Sequence, residues 1–210
     1  MKKTDLILVT VIVCLTFIIV NFNNVLADPP PGKGKDKKFR PIDIPQTGQT
    51  YSDTINRDWV YGDDGELQMG VAWPDPRFND NGDGTVTDNL TGFVWMKDAD
   101  CFGEINWYEG LIESNNLEDG YCGLTDGSVP GDWRVPNRNE ILTLVDVSNL
   151  NRALPDGHPF VNVREGFYWT STTAAFNCCA EAWYLRTYNG STEYEAKSII
   201  NFVWLVRSNN

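Results

Sequence analysis

The sequence of 210 residues predicts an α+β fold, in which short antiparallel strands lie before and after two main helices. Two observations support this prediction. Apolar residues follow a helical period in only two segments, both in the middle of the chain. The other apolar segments are short and separated by turn residues, without the strand–helix alternation of a parallel sheet. Hydrophobic residues make up 41% of the chain and aromatic residues 12%, which excludes a disordered or collagen-like protein.

Each predicted helix begins at an asparagine that is followed three residues later by a glutamate. Asn106 precedes Glu109, and Asn137 precedes Glu140, so each asparagine can cap the first backbone N–H groups of a helix. The apolar residues that follow are Trp107, Leu111, Ile112 and Leu117 in the first segment, and Ile141, Leu142, Leu144 and Val145 in the second.

The predicted strands are short, and one pair of them forms a hairpin. They cover residues 85–87, 93–96, 133–135, 168–172, 182–187, 191–196 and 203–207. The dipeptide Asn189-Gly190 between two strands is a strong signal for a hairpin with a two-residue turn. In that register Arg186 faces Glu193.

Alternation along these two strands gives the hairpin an inner and an outer face. The side chains expected to point towards the core are Trp183, Leu185 and Tyr194. The outer face is expected to bind a ligand, because exposed tyrosine and arginine side chains are common at interaction hot spots. Its residues are Tyr184, Arg186, Tyr188, Glu193 and Glu195. The alternative is an ordinary pair of solvated strands.

Residues 1–27 have the pattern of a secretory signal peptide. Lys2 and Lys3 precede an apolar stretch, residues 6–20, that is short for a membrane span, and a small residue occupies the expected cleavage position at Ala27. An uncleaved N-terminal anchor is the alternative. We therefore expect a secreted, periplasmic or cell-surface protein that has no membrane span once the signal is removed.

We predict that the exported protein begins at Asp28. Cleavage after Ala27 places small residues at the positions that signal peptidase recognises. Intact-mass and N-terminal peptide mass spectrometry of the exported protein will check this. A protein recovered from the membrane fraction with Met1 in place would contradict the prediction.

The mature chain is expected to consist of a linker and one domain. Residues 28–45 are rich in proline, glycine and lysine and have little to bury, which predicts a flexible linker. Aromatic residues begin at Tyr51 and continue to Trp204, so residues 46–208 are expected to form a single domain.

The charge and the side-chain inventory exclude several functions. Seventeen basic against 29 acidic residues give a formal charge of −12, whereas binding to nucleic acids or sulfated polysaccharides needs clustered basic side chains. The single histidine, His158, has no nucleophile motif with it, and the acid pairs Asp63-Asp64 and Asp98/Asp100 are too ordinary to indicate a glycosidase. We therefore expect no catalytic residues, no metal and no cofactor.

Residues 79–88 resemble a calcium-binding loop. Asn79, Asn81 and Asp83 offer side-chain oxygens at alternate positions, but Leu90 stands where a bidentate acid is expected. A turn in which the Asp and Asn side chains bond their own backbone is the favoured interpretation, and a calcium site is the alternative.

Four of the five cysteines lie outside the predicted signal peptide. Cys101 and Cys122 flank the first helix, and a disulfide between them would contribute about 3 kcal/mol by restricting the unfolded chain. The adjacent Cys178 and Cys179 could bridge each other, pair outside the domain or stay reduced. Pairing of these two with Cys101 and Cys122 is an alternative.

Seven phrases occur in a specific order across about residues 60–207. They are GVAWP (70–74), RFNDNGDGTVTDNLTG (77–92), DWRVPNRNE (132–140), ALP (153–155), HPF (158–160), YWTST (168–172) and WLVR (204–207). Together they resemble the bacterial Lcl C-terminal domain family, named after a domain of a collagen-like surface adhesin that binds glycosaminoglycans. The resemblance implies a C-type-lectin-like fold, shared with formylglycine-generating enzymes and with the variable receptor proteins of diversity-generating retroelements.

The chain departs from these relatives in ways that change the expected partner. It is acidic and has no collagenous stretch, so glycosaminoglycan binding does not transfer. The Glu-Pro-Asn or Gln-Pro-Asp motif of calcium-dependent lectins is absent, and nothing matches a formylglycine-generating active site. We expect a non-enzymatic binding or adhesion module that recognises a glycan or an envelope or surface protein. The alternatives are a degenerate formylglycine-type oxidase, a glycan hydrolase and a purely structural envelope domain.

Overall fold

The computed structural model describes residues 44–52, 62–149, 152–175 and 179–209. This part of the chain contains three helices and nine strands. This mixture belongs to the α+β class, as predicted. The predicted signal peptide, most of the predicted linker and Cys178 lie outside the described residues. The elements are α1 (Asp64–Leu67), β1 (Phe78–Asp80), β2 (Thr85–Asp88), β3 (Phe93–Met96), β4 (Ile105–Asn106), α2 (Trp107–Asn116), α3 (Arg138–Leu142), β5 (Phe167–Thr173), β6 (Glu181–Arg186), β7 (Thr192–Ala196), β8 (Ile200–Asn201) and β9 (Val206–Ser208).

The nine strands pair antiparallel in three sheets. The largest has the order β1-β2-β3-β9, so the last strand of the chain pairs with β3. Strands β4 and β8 form a two-stranded sheet, and β5, β6 and β7 form a three-stranded sheet in that order. Strand β7 is therefore paired on one side only within the described part of the chain.

The two helices predicted from the sequence, α2 and α3, begin at the predicted caps. The Asn106 side chain accepts hydrogen bonds from the backbone N–H groups of Tyr108 and Glu109. At α3, Asn137 accepts from the N–H groups of the second and third helical residues, and the Glu140 carboxylate accepts from the Asn137 N–H at 2.8 Å. This reciprocal pair satisfies backbone donors that a helix cannot bond internally.

Tryptophan side chains fill the centre of the core. Trp95, Trp133, Trp169 and Trp204 are each 1% exposed or less. The Trp204 indole donates to the Met96 carbonyl at 2.9 Å, which ties the C-terminal segment to β3. Burial of several large aromatic surfaces supplies much of the driving force for folding.

A buried ion pair anchors the end of β2. The Arg77 Nε donates to Asp88 at 2.9 Å, and both side chains are almost completely buried. The Asp88 carboxylate also accepts from the Leu90 N–H and the Thr91 hydroxyl, so it organises the turn before β3 as well. A buried charge is tolerated when it is paired and hydrogen-bonded in this way.

The loop at residues 79–88 makes the hydrogen bonds of a turn. The Asp80 carboxylate accepts from the Gly82 N–H at 3.1 Å, and the Asp83 carboxylate accepts from the Thr85 N–H and hydroxyl at 3.0 and 2.6 Å. These side chains bond their own backbone two residues on, which is the favoured interpretation of this sequence.

The predicted disulfide joins Cys101 and Cys122, whose Cα atoms lie 5.6 Å apart. It connects the segment before α2 to the segment after it. Cys179 is exposed and has a free thiol. The alternative in which Cys101 and Cys122 pair with the later cysteines is therefore wrong.

Two predicted strands differ from the structure. Residues 133–135 form only an isolated bridge, in which Arg134 and Val206 exchange backbone hydrogen bonds at 3.1 and 3.0 Å. The predicted strand at 203–207 overlaps only the start of β9, and the short strand β8 ends before it begins. Consecutive side chains from Val203 to Val206 are all buried, whereas a strand with one solvated face would bury only alternate ones.

Candidate functional site

The β6–β7 hairpin carries the predicted ligand-binding residues, but its register differs from the prediction. Tyr184 faces Glu193 and Leu185 faces Thr192, so the strands are shifted by two residues from the expected pairing. Arg186 and Ser191 close the ladder, and the loop between them has four residues, 187–190, instead of two. The predicted two-residue turn is wrong.

The Thr187 side chain explains the longer loop. Its hydroxyl lies within hydrogen-bond distance of the Arg164 and Gly166 carbonyls and accepts from the Gly166 N–H at 3.0 Å. These contacts bury Thr187 and take it out of the strand. At Gly190, which has a φ of 73°, a Cβ atom would meet the Val145 side chain, so a larger residue does not fit.

The predicted exposure of Tyr184 is wrong. The residue is 5% exposed, and its ring packs against Phe167 and Trp169 of the neighbouring strand β5, because Tyr184 lies in the middle strand of the sheet. Its hydroxyl donates to the Glu193 carboxylate at 3.1 Å. Burial and the neighbouring Glu193 raise the pKa of this hydroxyl. Tyr184 is thus a core residue with only its polar end near the surface.

The other predicted residues lie at or near the surface. Arg186 is half-buried and pairs with the exposed Glu193 at 3.4 Å. Glu195 is half-buried and accepts a hydrogen bond from Asn201. Tyr188 lies in the loop and is 44% exposed. Arg186 and Glu193 thus pair with each other, and an exposed ion pair of this kind contributes less than about 1 kcal/mol.

The opposite face of the hairpin exposes a cluster of aromatic and arginine side chains. The Arg138 guanidinium lies 3.9 Å from the centre of the half-buried Trp183 ring. Tyr194 meets the same indole edge to face, with ring centres 5.2 Å apart, and is 43% exposed. Leu185 is buried as predicted, but Trp183 is only half-buried and the prediction that Tyr194 points into the core is wrong. We call Arg138, Trp183 and Tyr194, together with Tyr188 of the loop that joins β6 and β7, the hairpin surface.

The N-terminus of α3 positions Arg138. Its Nε donates to the Thr192 hydroxyl at 2.9 Å, and its backbone N–H donates to the Thr172 hydroxyl at 3.0 Å. The guanidinium is held by this bond and by the Trp183 ring, so little side-chain entropy remains to be lost on binding. Arg138 was not among the predicted site residues, because it is 45 residues from Trp183 and no local pattern indicates that the two side chains meet.

The acidic residues considered for catalysis are engaged elsewhere. Asp98 accepts from the Asp100 N–H and from Asn162, and Asp100 pairs with Arg164 at 2.6 Å. His158 is half-buried, and burial lowers its pKa. Within the described residues no three His, Cys, Asp or Glu side chains are grouped to hold a metal ion, and no helix is long and apolar enough to cross a bilayer.

The hairpin lies within the part of the chain that matches a known protein family. The Lcl C-terminal domain matches residues 84–207, which is more than half of the 210 residues and includes β2 through most of β9. No curated protein matches the chain significantly. On this match, the chain belongs to the Lcl C-terminal domain family.

Proposed function

We propose that this protein is an exported, non-enzymatic binding module of C-type-lectin-like fold that recognises a glycan or an envelope or surface protein through the hairpin surface. The observation that carries the proposal is the Trp183–Arg138 stack, which the exposed Tyr194 contacts edge to face. Tyr188 adds a second exposed tyrosine in the loop of the same hairpin. Tyrosine, tryptophan and arginine dominate binding hot spots, because each contributes a large contact area or several donors at a small cost in entropy.

The position of β7 supports the same role. It is the outer strand of the β5-β6-β7 sheet in the described part of the chain, so one row of its backbone groups has no strand partner there. An outer strand can pair with an extended segment of a protein, or leave its aromatic side chains open to a flat ligand. Tyr194 lies in the middle of this strand.

The cysteine pair supports the proposed location. The Cys101–Cys122 disulfide is of the kind that persists in the periplasm and outside the cell. Together with the sequence pattern of residues 1–27, it favours export.

We expect the mature protein to bind a component of an array of glycans and purified envelope proteins, and the double variant Tyr188→Ser and Tyr194→Ser to lose that binding. Both tyrosines are more than 40% exposed, so folding should be retained. A hot-spot residue contributes about 2 kcal/mol, so the two changes together should weaken binding by well over tenfold. Affinity is measured by surface plasmon resonance, and folding by circular dichroism.

Tyr121→Ser is the matched control, since Tyr121 is 63% exposed and lies in the segment after α2. It should bind like the unaltered protein. Undiminished binding of the folded double variant would contradict the proposed surface. Turnover of any array component by the mature protein would favour an enzyme instead.

A further inference from the structure

A cleft of about 340 Å³ lies between residues 46–50, α1 and Trp73. The residues that line it include Gln46, Gln49, Asp64, Trp73 and Asp146. This volume is within the range of small-molecule sites in proteins. Of the described residues that line the cleft, Asp146 alone lies within the part of the chain that matches the family.

The segment at residues 46–50 is fixed against the rest of the domain. The Trp73 Nε1 donates to the Gln46 carbonyl at 2.9 Å, and the Ser148 hydroxyl donates to the Gly48 carbonyl at 2.7 Å. Gly48 has a φ of 86°, and a Cβ atom there would lie 2.7 Å from the Trp73 ring and would also meet Asp146. Only glycine leaves these two walls of the cleft in place.

The hydrogen-bonding groups of the cleft are dominated by acceptors. The Gln46 and Gln49 amides donate to the backbone carbonyls of Gln68 and Tyr51, and the Thr47 hydroxyl donates to Asp64. An ionised carboxylate only accepts hydrogen bonds, and Asp64 and Asp146 can each accept more of them than they do here. A ligand that brings donors therefore fits better than one that brings acceptors.

The charges around the cleft point the same way. Among the described residues that line it, none is a lysine or an arginine. The Arg77 guanidinium stacks on Trp73 at 4.5 Å, but it is paired with the buried Asp88.

The Asp146 carboxylate accepts hydrogen bonds from two uncharged donors, the Ser148 N–H at 2.9 Å and the Asn149 amide at 3.4 Å. Burial raises the pKa of Asp146, whereas the Ser148 N–H lowers it, and Asp156 and Arg77 act in opposite directions.

We propose that this cleft binds a small organic cation, a primary ammonium group held between the carboxylates of Asp64 and Asp146 against the Trp73 indole. An ammonium group has three donors and no acceptor, which matches the acceptor-rich walls. An indole ring is the best aromatic partner for a cation, and the formal charge of −12 attracts cations over the whole surface. This site is separate from the hairpin surface and does not depend on its role.

The test is a titration of the mature chain with 1,5-diaminopentane, followed by NMR of the tryptophan indole N–H signals. Trp73→Phe identifies the Trp73 signal. We expect saturable shifts of that signal with the diamine, and none with 1,5-pentanediol, which has the same length without charge, or with glutarate. Asp146→Asn keeps an acceptor for the Ser148 N–H and should weaken diamine binding about tenfold, which corresponds to the loss of one close charge interaction.

Glu104→Gln is the matched control, because it removes the same charge from an exposed position outside the cleft. It should leave diamine binding unchanged. Asp64→Asn gives a second measurement if the Asp146 variant does not fold. Equal binding of the diol, absence of shifts with the diamine, an equal effect of Glu104→Gln, or undiminished binding of folded cleft variants would each overturn the proposal.

Discussion

Replacing Trp133 by Ala should lower the free energy of unfolding by about 3–5 kcal/mol, as expected for loss of a large buried aromatic side chain. The indole is 1% exposed, and the Arg207 guanidinium lies 5.4 Å from its centre. Trp133 belongs to the same buried cluster as Val135 and Trp204, so the substitution leaves a cavity inside the core. Urea unfolding followed by circular dichroism will measure the change.

Tyr108→Ala is the control for this substitution, because Tyr108 is 56% exposed on α2. It should change stability by no more than about 0.5 kcal/mol. If the Trp133 variant lost ligand binding and kept its stability, Trp133 would belong to a binding site, and its assignment to the core would be wrong.

Replacing Asp88 by Ala should cost about 3–5 kcal/mol, because it leaves the Arg77 charge buried without its partner. The carboxylate accepts from Arg77 at 2.9 and 3.3 Å, from the Thr91 hydroxyl at 2.8 Å and from the Leu90 N–H at 3.0 Å. The loss therefore includes the turn between β2 and β3 as well as the ion pair. The same urea measurement applies.

The exposed ion pair of Asp80 and Lys97 provides the comparison. The Lys97 Nζ lies 2.6 Å from the Asp80 Oδ2, closer than the 2.9 Å between Arg77 and Asp88. Solvent nevertheless screens the charges of both Asp80 and Lys97. Asp80→Ala should therefore be much less destabilising than Asp88→Ala. Equal losses in the two variants would show that burial does not set the strength of these pairs.

Local sequence signals predicted the parts of the fold that local bonds determine. Asn106 and Asn137 each cap a helix through N–H groups two and three residues away, so the bonding partners are adjacent in the sequence. The fold class followed from the order of helices and strands along the chain. The Cys101–Cys122 disulfide followed from the positions of these two cysteines on either side of α2. The C-terminal segment was not, because Trp204 and its neighbours are buried by contacts with β3, more than 100 residues away.

The hairpin shows why the candidate site was only partly predictable. Asn189-Gly190 correctly indicates a reversal of the chain, but the loop length depends on the bonds of Thr187 to Arg164 and Gly166, which no local pattern indicates. The shift by two residues preserves the alternation of the strands. The exposure of Tyr194 and the burial of Tyr184 instead depend on what packs against each side of the sheet.

The measurement that tests the proposed binding role most directly is a titration of the ¹⁵N-labelled mature protein with the tightest-binding component of the arrays. We expect the chemical-shift changes to concentrate at Arg138, Trp183, Tyr188 and Tyr194, the four residues of the hairpin surface. Changes that concentrate instead in the turn at residues 79–88, with the hairpin surface unaffected, would contradict it.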